Sequence, residues 1–240
     1  ADDIKEQGLS IPKINEVEEL EYVLDDELTK IFYESVEILT EKLTYARYKA
    51  LANLSKDAKL QFGDIQDGFL EMSSQNLAKM MQTMLIKRLE SSFYAFKSTI
   101  NKQKNNLAKF IEMFENGTVL IPNAKINLFE ILDEHEEDIE EIIEKLLEDD
   151  KIKSFSPDEF DKNYLPQLRS DLILLEDLVG MWKDVSSDPK LERFKEILKT
   201  NKNEKRVVFT ESKQTALYLE KSINDKKVLV VHGGNREELK

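Results

Sequence analysis

Hydrophobic positions recur every three or four residues along most of the chain, which predicts a mainly α-helical fold with long helices. The first such pattern follows two aspartates at positions 25 and 26, either of which can cap a helix, and runs to about residue 51. A second extends from about residue 75 to Asn116-Gly117, where glycine accepts the left-handed conformation that ends helices. Roughly 40 residues exceed ordinary helix lengths, so a bend is predicted at Ser91-Ser92.

The second half of the chain continues the helical pattern in shorter pieces. Residues 133–150 form an amphipathic pattern with one apolar and one acidic face. Ser156-Pro157-Asp158-Glu159 is a capping box with proline at the first helical position, and Pro166 should end that helix at residue 165 or earlier. A leucine-rich helix then leads to Trp182, and Asp188 caps another helix after a short linker. We place the domain boundary here, between a helical region over 1–187 and a second unit over 188–240.

Three segments carry strand patterns instead. Apolar and acidic residues alternate over 18–24, which predicts a short strand. Continuous apolar runs over 207–210 and 228–231 flank a helical pattern, as in a buried, right-handed, parallel βαβ unit. Two parallel strands cannot bury their own faces, so we interpret 188–240 as the truncated start of an α/β lobe. The predicted fold class is therefore mainly α, followed by a truncated parallel βαβ piece.

Charge changes this picture only locally. The net charge of −13 argues against nucleic acid, but residues 133–150 carry eleven acids and one lysine. Residues 79–109 instead carry seven Lys or Arg and one Glu, and 188–240 carry thirteen basic against nine acidic residues. Affinity for a polyanion follows the local patch, so nucleic-acid binding stays possible. The chain has no cysteine and no apolar run long enough to span a bilayer, so we expect a cytoplasmic protein with no membrane partner.

Two strings in the sequence match motifs of enzymes only in part. A phosphate-cradling loop needs G-x-x-x-x-G-K-[ST], but Phe69 follows the glycine pair Gly63 and Gly68 where lysine should stand. The chain alone should therefore have no ATP site and no catalytic residues. The acidic string around His135 suggests a metal site, but its order and its amphipathic continuation favour a helix start whose carboxylates interact with the helix dipole.

Two other strings leave alternatives open. Lys87-Arg88 and the hydroxyl residues after them are either an ordinary charged helix surface or a site for an anionic ligand. Thr210 and Ser212 either cap the helix that follows or bind phosphate together with nearby residues, because ligands of open α/β sheets bind at the carboxyl ends of strands. The residues that would gather there are Lys213, His232, Gly233, Gly234, Asn235 and Arg236.

A resemblance favours the second alternative in each case. The strings KRLESSFYAF from Lys87, DPKLERFKEIL from Asp188, RVVFTES from Arg206 and VLVVHGGN from Val228 resemble superfamily two helicase-like ATPases, and more narrowly the Swi/Snf-type DNA translocase branch. The segment from Ile11 resembles the exit from the first motor lobe of that family. Residues 117–187 resemble nothing that we can name.

The resemblance implies two RecA-like lobes that bind ATP and Mg²⁺ between them and move along duplex DNA. This chain would supply the connection between lobes and the start of the second lobe, without an ATP site of its own. The nucleic-acid-binding residues would be Lys87, Arg88, Thr210, Ser212, Lys213, Gly233, Gly234, Asn235 and Arg236. The alternative is a helical interaction module, in which the acidic helix over 133–150 docks a protein partner. A free-standing α/β ligand domain is disfavoured because too few strands are present.

Overall fold

The computed structural model describes residues 17–63, 68–122, 152–200, 205–225, 227–232 and 235. The described chain is mainly helical, which confirms that part of the predicted fold class. Its helices are α1 (Asp26–Glu37), α2 (Lys56–Leu60), α3 (Phe69–Ser91), α4 (Phe93–Glu115), α5 (Tyr164–Lys183), α6 (Pro189–Thr200) and α7 (Lys213–Ile223). The strands are β1 (Val119–Pro122) and β2 (Ile152–Phe155), and short turns of π-helix and 3₁₀-helix cover Ile38–Lys42, Ala46–Lys49 and Pro157–Glu159.

Helix α4 lies at the centre of the molecule and packs along both α3 and α5. The side chains that these helices bury are large and apolar, and they include Met81, Leu85, Phe96, Ile100 and Leu178. Trp182 on α5 is completely buried between the rings of Phe93 and Phe96, at centroid distances of 4.9 and 5.4 Å. Burying such aromatic side chains supplies a large part of the hydrophobic stabilisation.

The predicted bend at Ser91-Ser92 is a complete break between α3 and α4. Ser92 has an extended backbone, with φ −162° and ψ 130°, and its Oγ accepts a hydrogen bond from Ala95 N at 3.3 Å. The serine thereby ends one helix and caps the next. The predicted stop is confirmed as well, because α4 ends at Glu115 and Gly117 takes a left-handed φ of 78°.

Beyond α4, a small antiparallel sheet joins the long helices. Strands β1 and β2 pair from Val119 with Phe155 to Pro122 with Ile152. Phe155 packs on Phe62 at 5.8 Å and on Phe160 at 6.2 Å, so the sheet is anchored to an aromatic cluster at this end of α4. The acidic pattern over 133–150 lies outside the described residues.

Helix α1 ends well before the predicted residue 51. The chain turns at Thr44-Tyr45-Ala46, where Tyr45 adopts a left-handed φ of 56°. Asp171, buried on α5, accepts hydrogen bonds from Thr44 N and Ala46 N, both at 2.8 Å. A carboxylate that satisfies two backbone donors holds this turn against the helical propensity of the sequence.

Helix α5 also differs from its prediction. Pro166 lies inside the first turn of α5, which begins at Tyr164, whereas the sequence predicted a helix ending before the proline. The first amides of a helix have no intrahelical partner, so proline costs nothing there. The predicted capping box is present, with Ser156 N donating to Glu159 Oε2 at 2.7 Å, but it begins a 3₁₀ turn.

The strand predicted over 18–24 is wrong, because residues 17–25 belong to no strand. Leu20 and Val23 on this segment are 55% and 85% exposed. An alternating pattern forms a strand only when a neighbouring strand pairs with its backbone. Within the described residues this segment has no such neighbour.

The parallel strand pair predicted at the C-terminal end is likewise not formed. Helix α7 lies between the two apolar runs as predicted, but neither 207–210 nor 228–231 is a strand, and the sheet of the described residues is antiparallel β1-β2. Most apolar side chains of the two runs are exposed, namely Val207, Val208, Phe209, Leu229 and Val231, while Val228 and Val230 are half-buried. Two parallel strands bury too little apolar surface to offset the entropy of ordering them.

Candidate nucleic-acid interface

The two sequence strings singled out for anion binding lie against each other. Residues 87–92, at the end of α3, contact residues 210–215, at the start of α7, and we call this contact the α3–α7 junction. The end of α3 is fixed by the break at Ser92, and the start of α7 by its capping residue Ser212. Local capping rules therefore position both sides of the junction.

Arg88 and Ser212 form the centre of the junction. The Arg88 guanidinium donates through Nη1 to the Oγ of Ser212, which is 2% exposed. The same hydroxyl accepts a hydrogen bond from Thr215 N at 3.1 Å and so caps α7. Arg88 thus holds Ser212 in place, and Ser212 in turn marks the residue at which α7 begins.

Hydroxyl groups and an exposed ion pair surround this contact. Ser91 Oγ lies 3.0 Å from Thr215 Oγ1 and 3.5 Å from Thr210 Oγ1. Lys87 Nζ lies 2.9 Å from Glu211 Oε2, and the two side chains are 57% and 73% exposed. Water and salt screen such a pair, which is typically worth less than about 1 kcal/mol, so Lys87 can exchange Glu211 for another anion at little cost.

The helix ends at the junction have complementary partial charges. The carboxyl end of α3 carries partial negative charge, and the amino end of α7 carries partial positive charge. Lys190, near the start of α6, donates to the carbonyl oxygen of Glu90 at 2.6 Å and so satisfies a group at the end of α3. Its Nζ also lies 5.9 Å from the centre of the Tyr22 ring, which brings the N-terminal segment to the same place.

A second contact holds α7 on α4. Tyr94 and Tyr218 stack with centroids 4.6 Å apart and ring planes 3° from parallel. Tyr218 OH donates to Asp188 Oδ2 at 3.1 Å, while Asp188 Oδ1 caps α6 by accepting from Leu191 N at 2.9 Å. Burial of the Tyr218 hydroxyl, together with the neighbouring Asp188 carboxylate, raises the pKa of Tyr218 to about 12. Asp188 therefore connects the start of α6 to α7.

The junction contains side-chain types that bind phosphate groups in other proteins. Lys87, Arg88, Lys190 and Lys213 stand against three acids, Glu90, Asp188 and Glu211, within or beside the junction. Lysine, arginine, hydroxyl groups and a helix N-terminus are the usual partners of phosphate oxygens. Contacts of this kind position a nucleic acid without reading its sequence.

The structure brings together part of the predicted set. Lys87, Arg88, Thr210 and Ser212 lie in the junction, and Lys213 begins α7 beside it. Asn235 belongs to a separate turn, in which its Oδ1 accepts from His232 N at 2.8 Å and its Nδ2 donates to Val230 O at 2.9 Å. The predicted residues Gly233, Gly234 and Arg236 lie outside the described part of the chain.

Four residues of the junction were not predicted as site residues. Ser91 was predicted as part of the helix bend and, with the other hydroxyl residues after Lys87-Arg88, was considered for a ligand site without being named as a site residue. Glu211 was assigned only to the end of the first predicted C-terminal strand. Thr215 stands three residues after the capping Ser212, a position where side chains often turn back to the helix start. Lys190 has no sequence signal, because its partner is a backbone carbonyl 100 residues away.

Metal and membrane chemistry gain no support from the described residues. Within them, no three His, Cys, Asp or Glu side chains are grouped so as to hold a metal ion. None of the helices over the same residues is long and apolar enough to cross a bilayer. Comparison of the chain with protein-family models, with curated proteins and with solved structures finds no match.

Proposed function

We propose that the chain is the connector and the start of the second motor lobe of an ATP-dependent DNA helicase or translocase. The observation that carries the proposal is the contact between Arg88 and Ser212, which are 124 residues apart in the sequence. Both belong to strings that resemble the same motor family. The two strings meet at one surface that is rich in cationic and hydroxyl groups. Residues from both strings could therefore contact the same nucleic acid there.

The exposed C-terminal runs give the proposal a second support. Phe209 is 92% exposed and Val207 is 77% exposed, which is unusual for residues of this size in a folded domain. Further strands of a RecA-like lobe would bury both runs and satisfy their backbone groups. We propose that 188–240 belongs to such a lobe, and that ATP and Mg²⁺ bind outside this chain.

In this proposal the junction contacts the phosphate backbone of duplex DNA. Lys87 leaves Glu211 and pairs with a phosphate, while Arg88 and Lys213 contact neighbouring phosphates of the DNA. Glu211 competes with the DNA for Lys87 and thereby lowers the affinity of the junction for DNA. The chain itself hydrolyses no ATP.

Fluorescence anisotropy of a labelled DNA duplex, titrated with the 240-residue chain at low salt, tests the proposal. We expect the double variant Lys87→Ala/Arg88→Ala to lower the affinity by roughly tenfold, since each lost phosphate contact removes a charge-assisted hydrogen bond. The matched control is Lys162→Ala/Arg169→Ala, which removes one lysine and one arginine from the start of α5. Arg169 pairs with Glu115 at the far end of α4 from the junction. Equal loss in both double variants would contradict the proposed site.

The variant Glu211→Gln tests the competition in the opposite direction. Removing the carboxylate frees Lys87 and should raise the affinity for duplex DNA by about threefold. Glu196→Gln is the control, because Glu196 forms a similar exposed pair with Arg193 at 3.0 Å on α6. An unchanged or lowered affinity in Glu211→Gln would show that Lys87 does not contact DNA.

A further inference from the structure

A separate cleft lies between α4, the end of α5, the linker before α6, and α7. Its volume is about 590 Å³ and it is open to solvent. Volumes of 300 to 1,000 Å³ are typical of pockets for small molecules. The cleft lies beside the Tyr94–Tyr218 stack and is distinct from the hydroxyl groups of the junction.

Aromatic side chains contribute to the lining of the cleft. Phe93 and Trp182 are among them but are 5% and 0% exposed, so a ligand can reach little of either ring. Tyr94, which is 50% exposed, and its stacking partner Tyr218 are the aromatic side chains open to a ligand. A planar ring system gains contact area with such walls and loses little conformational entropy on binding.

The polar side chains of the cleft favour negative charge. Lys97 and Lys183 line it from α4 and α5, and Lys97 Nζ donates to Val185 O in the linker at 2.8 Å. The carboxylate among the lining residues is Asp188, whose two oxygens already accept from Leu191 N and Tyr218 OH. Donors such as Asn101 supply further hydrogen bonds to an anion.

We propose that this cleft binds a small planar aromatic anion, with its ring against Tyr94 and the half-buried Val179 and Val185, and its acidic group at Lys97 and Lys183. The inference does not depend on the proposed motor function, because it uses none of the junction residues. A ligand here would also contact Tyr218 and Asp188, and so would stabilise α7 on α4.

The probe for the test is anthraquinone-2-sulfonate, a planar aromatic anion that quenches tryptophan fluorescence at short range. Trp182 is the chain's one tryptophan and lies in the lining of the cleft, so its emission reports a probe that binds close to it. We expect saturable quenching below about 1 mM probe, and roughly tenfold weaker binding in Lys97→Met/Lys183→Met. Ser98→Phe, which places a ring in the cleft from an exposed position of α4, should abolish saturable quenching.

The control variant is Lys162→Met, which removes a lysine near the start of α5, at the other end of that helix from Lys183, and should bind the probe as the unmodified chain does. The neutral anthraquinone-2-carboxamide should bind at least about fivefold more weakly than the sulfonate.

Quenching that never saturates, or that is unchanged in Ser98→Phe, would overturn the site. Equal affinity for the neutral probe, or for the double methionine variant, would overturn the assignment to anions. Circular dichroism melting verifies that each variant is folded.

Discussion

Asp171 illustrates how one residue determines the local backbone. Its carboxylate lies in the core, where an unpaired charge is strongly disfavoured. Burial is tolerated because three groups of the 44–46 turn donate hydrogen bonds to it. This role could not be predicted from the sequence, since an aspartate in a leucine-rich helix follows the same pattern as any exposed acid. Its partners lie more than 120 residues away.

We therefore expect Asp171→Asn to lower the free energy of unfolding by about 2 to 3 kcal/mol, because an amide nitrogen cannot accept the backbone hydrogen bond that one carboxylate oxygen now accepts. Urea denaturation followed by the emission of Trp182 measures the change. Asp177→Asn, at an exposed position of the same helix, is the matched control and should change stability little. Similar stabilities of the two variants would contradict the role given to Asp171.

Tyr218 provides a prediction about pH. Because its pKa in the folded chain is about 12, above the ordinary value of 10.0, folding favours the neutral phenol. This contribution is complete below pH 10 and is lost as the pH rises through 12. Chemical denaturation at several alkaline pH values should therefore show a steeper decline for the unmodified chain than for Tyr218→Phe. The exposed Tyr33→Phe serves as control, and its decline should match that of the unmodified chain.

At the scale of elements, local signals were predictable and long-range pairings were not. The break at Ser91-Ser92, the stop at Asn116-Gly117 and the Asp188 cap depend on residues within one helical turn, and the structure contains all three. The strand over 18–24 and the two apolar runs around α7 required partners from elsewhere in the chain. A pattern states which face of a strand is apolar, but not whether another strand pairs with it.

The break between α3 and α4 yields a prediction for these elements. Ser92→Ala removes the acceptor for Ala95 N and should lower the free energy of unfolding by about 0.5 to 2 kcal/mol. Thermal denaturation measures it, and Ser98→Ala, at an exposed position of the same helix, is the control. A stabilised Ser92→Ala variant would mean that a continuous helix from α3 to α4 is the preferred state.

At the scale of the whole molecule, α4 organises both ends. One end carries the aromatic cluster and the β1-β2 sheet, and the other carries the break at Ser92, the α3–α7 junction and the cleft. A helix of 23 residues is about 35 Å long, so both proposed ligand sites lie well away from the antiparallel sheet. The strings that met at the junction could be selected from the sequence, but only the fold shows that Arg88 reaches Ser212.

The dependence of DNA affinity on salt tests the proposed function most directly. Three phosphate contacts, from Lys87, Arg88 and Lys213, predict a slope of about −2.7 in a plot of log association constant against log salt concentration for duplex DNA. In Lys87→Ala/Arg88→Ala the slope should fall to about −0.9, while Lys162→Ala/Arg169→Ala should keep the original value. A slope near zero for the unmodified chain, or the same slope in both double variants, would contradict a phosphate-binding junction.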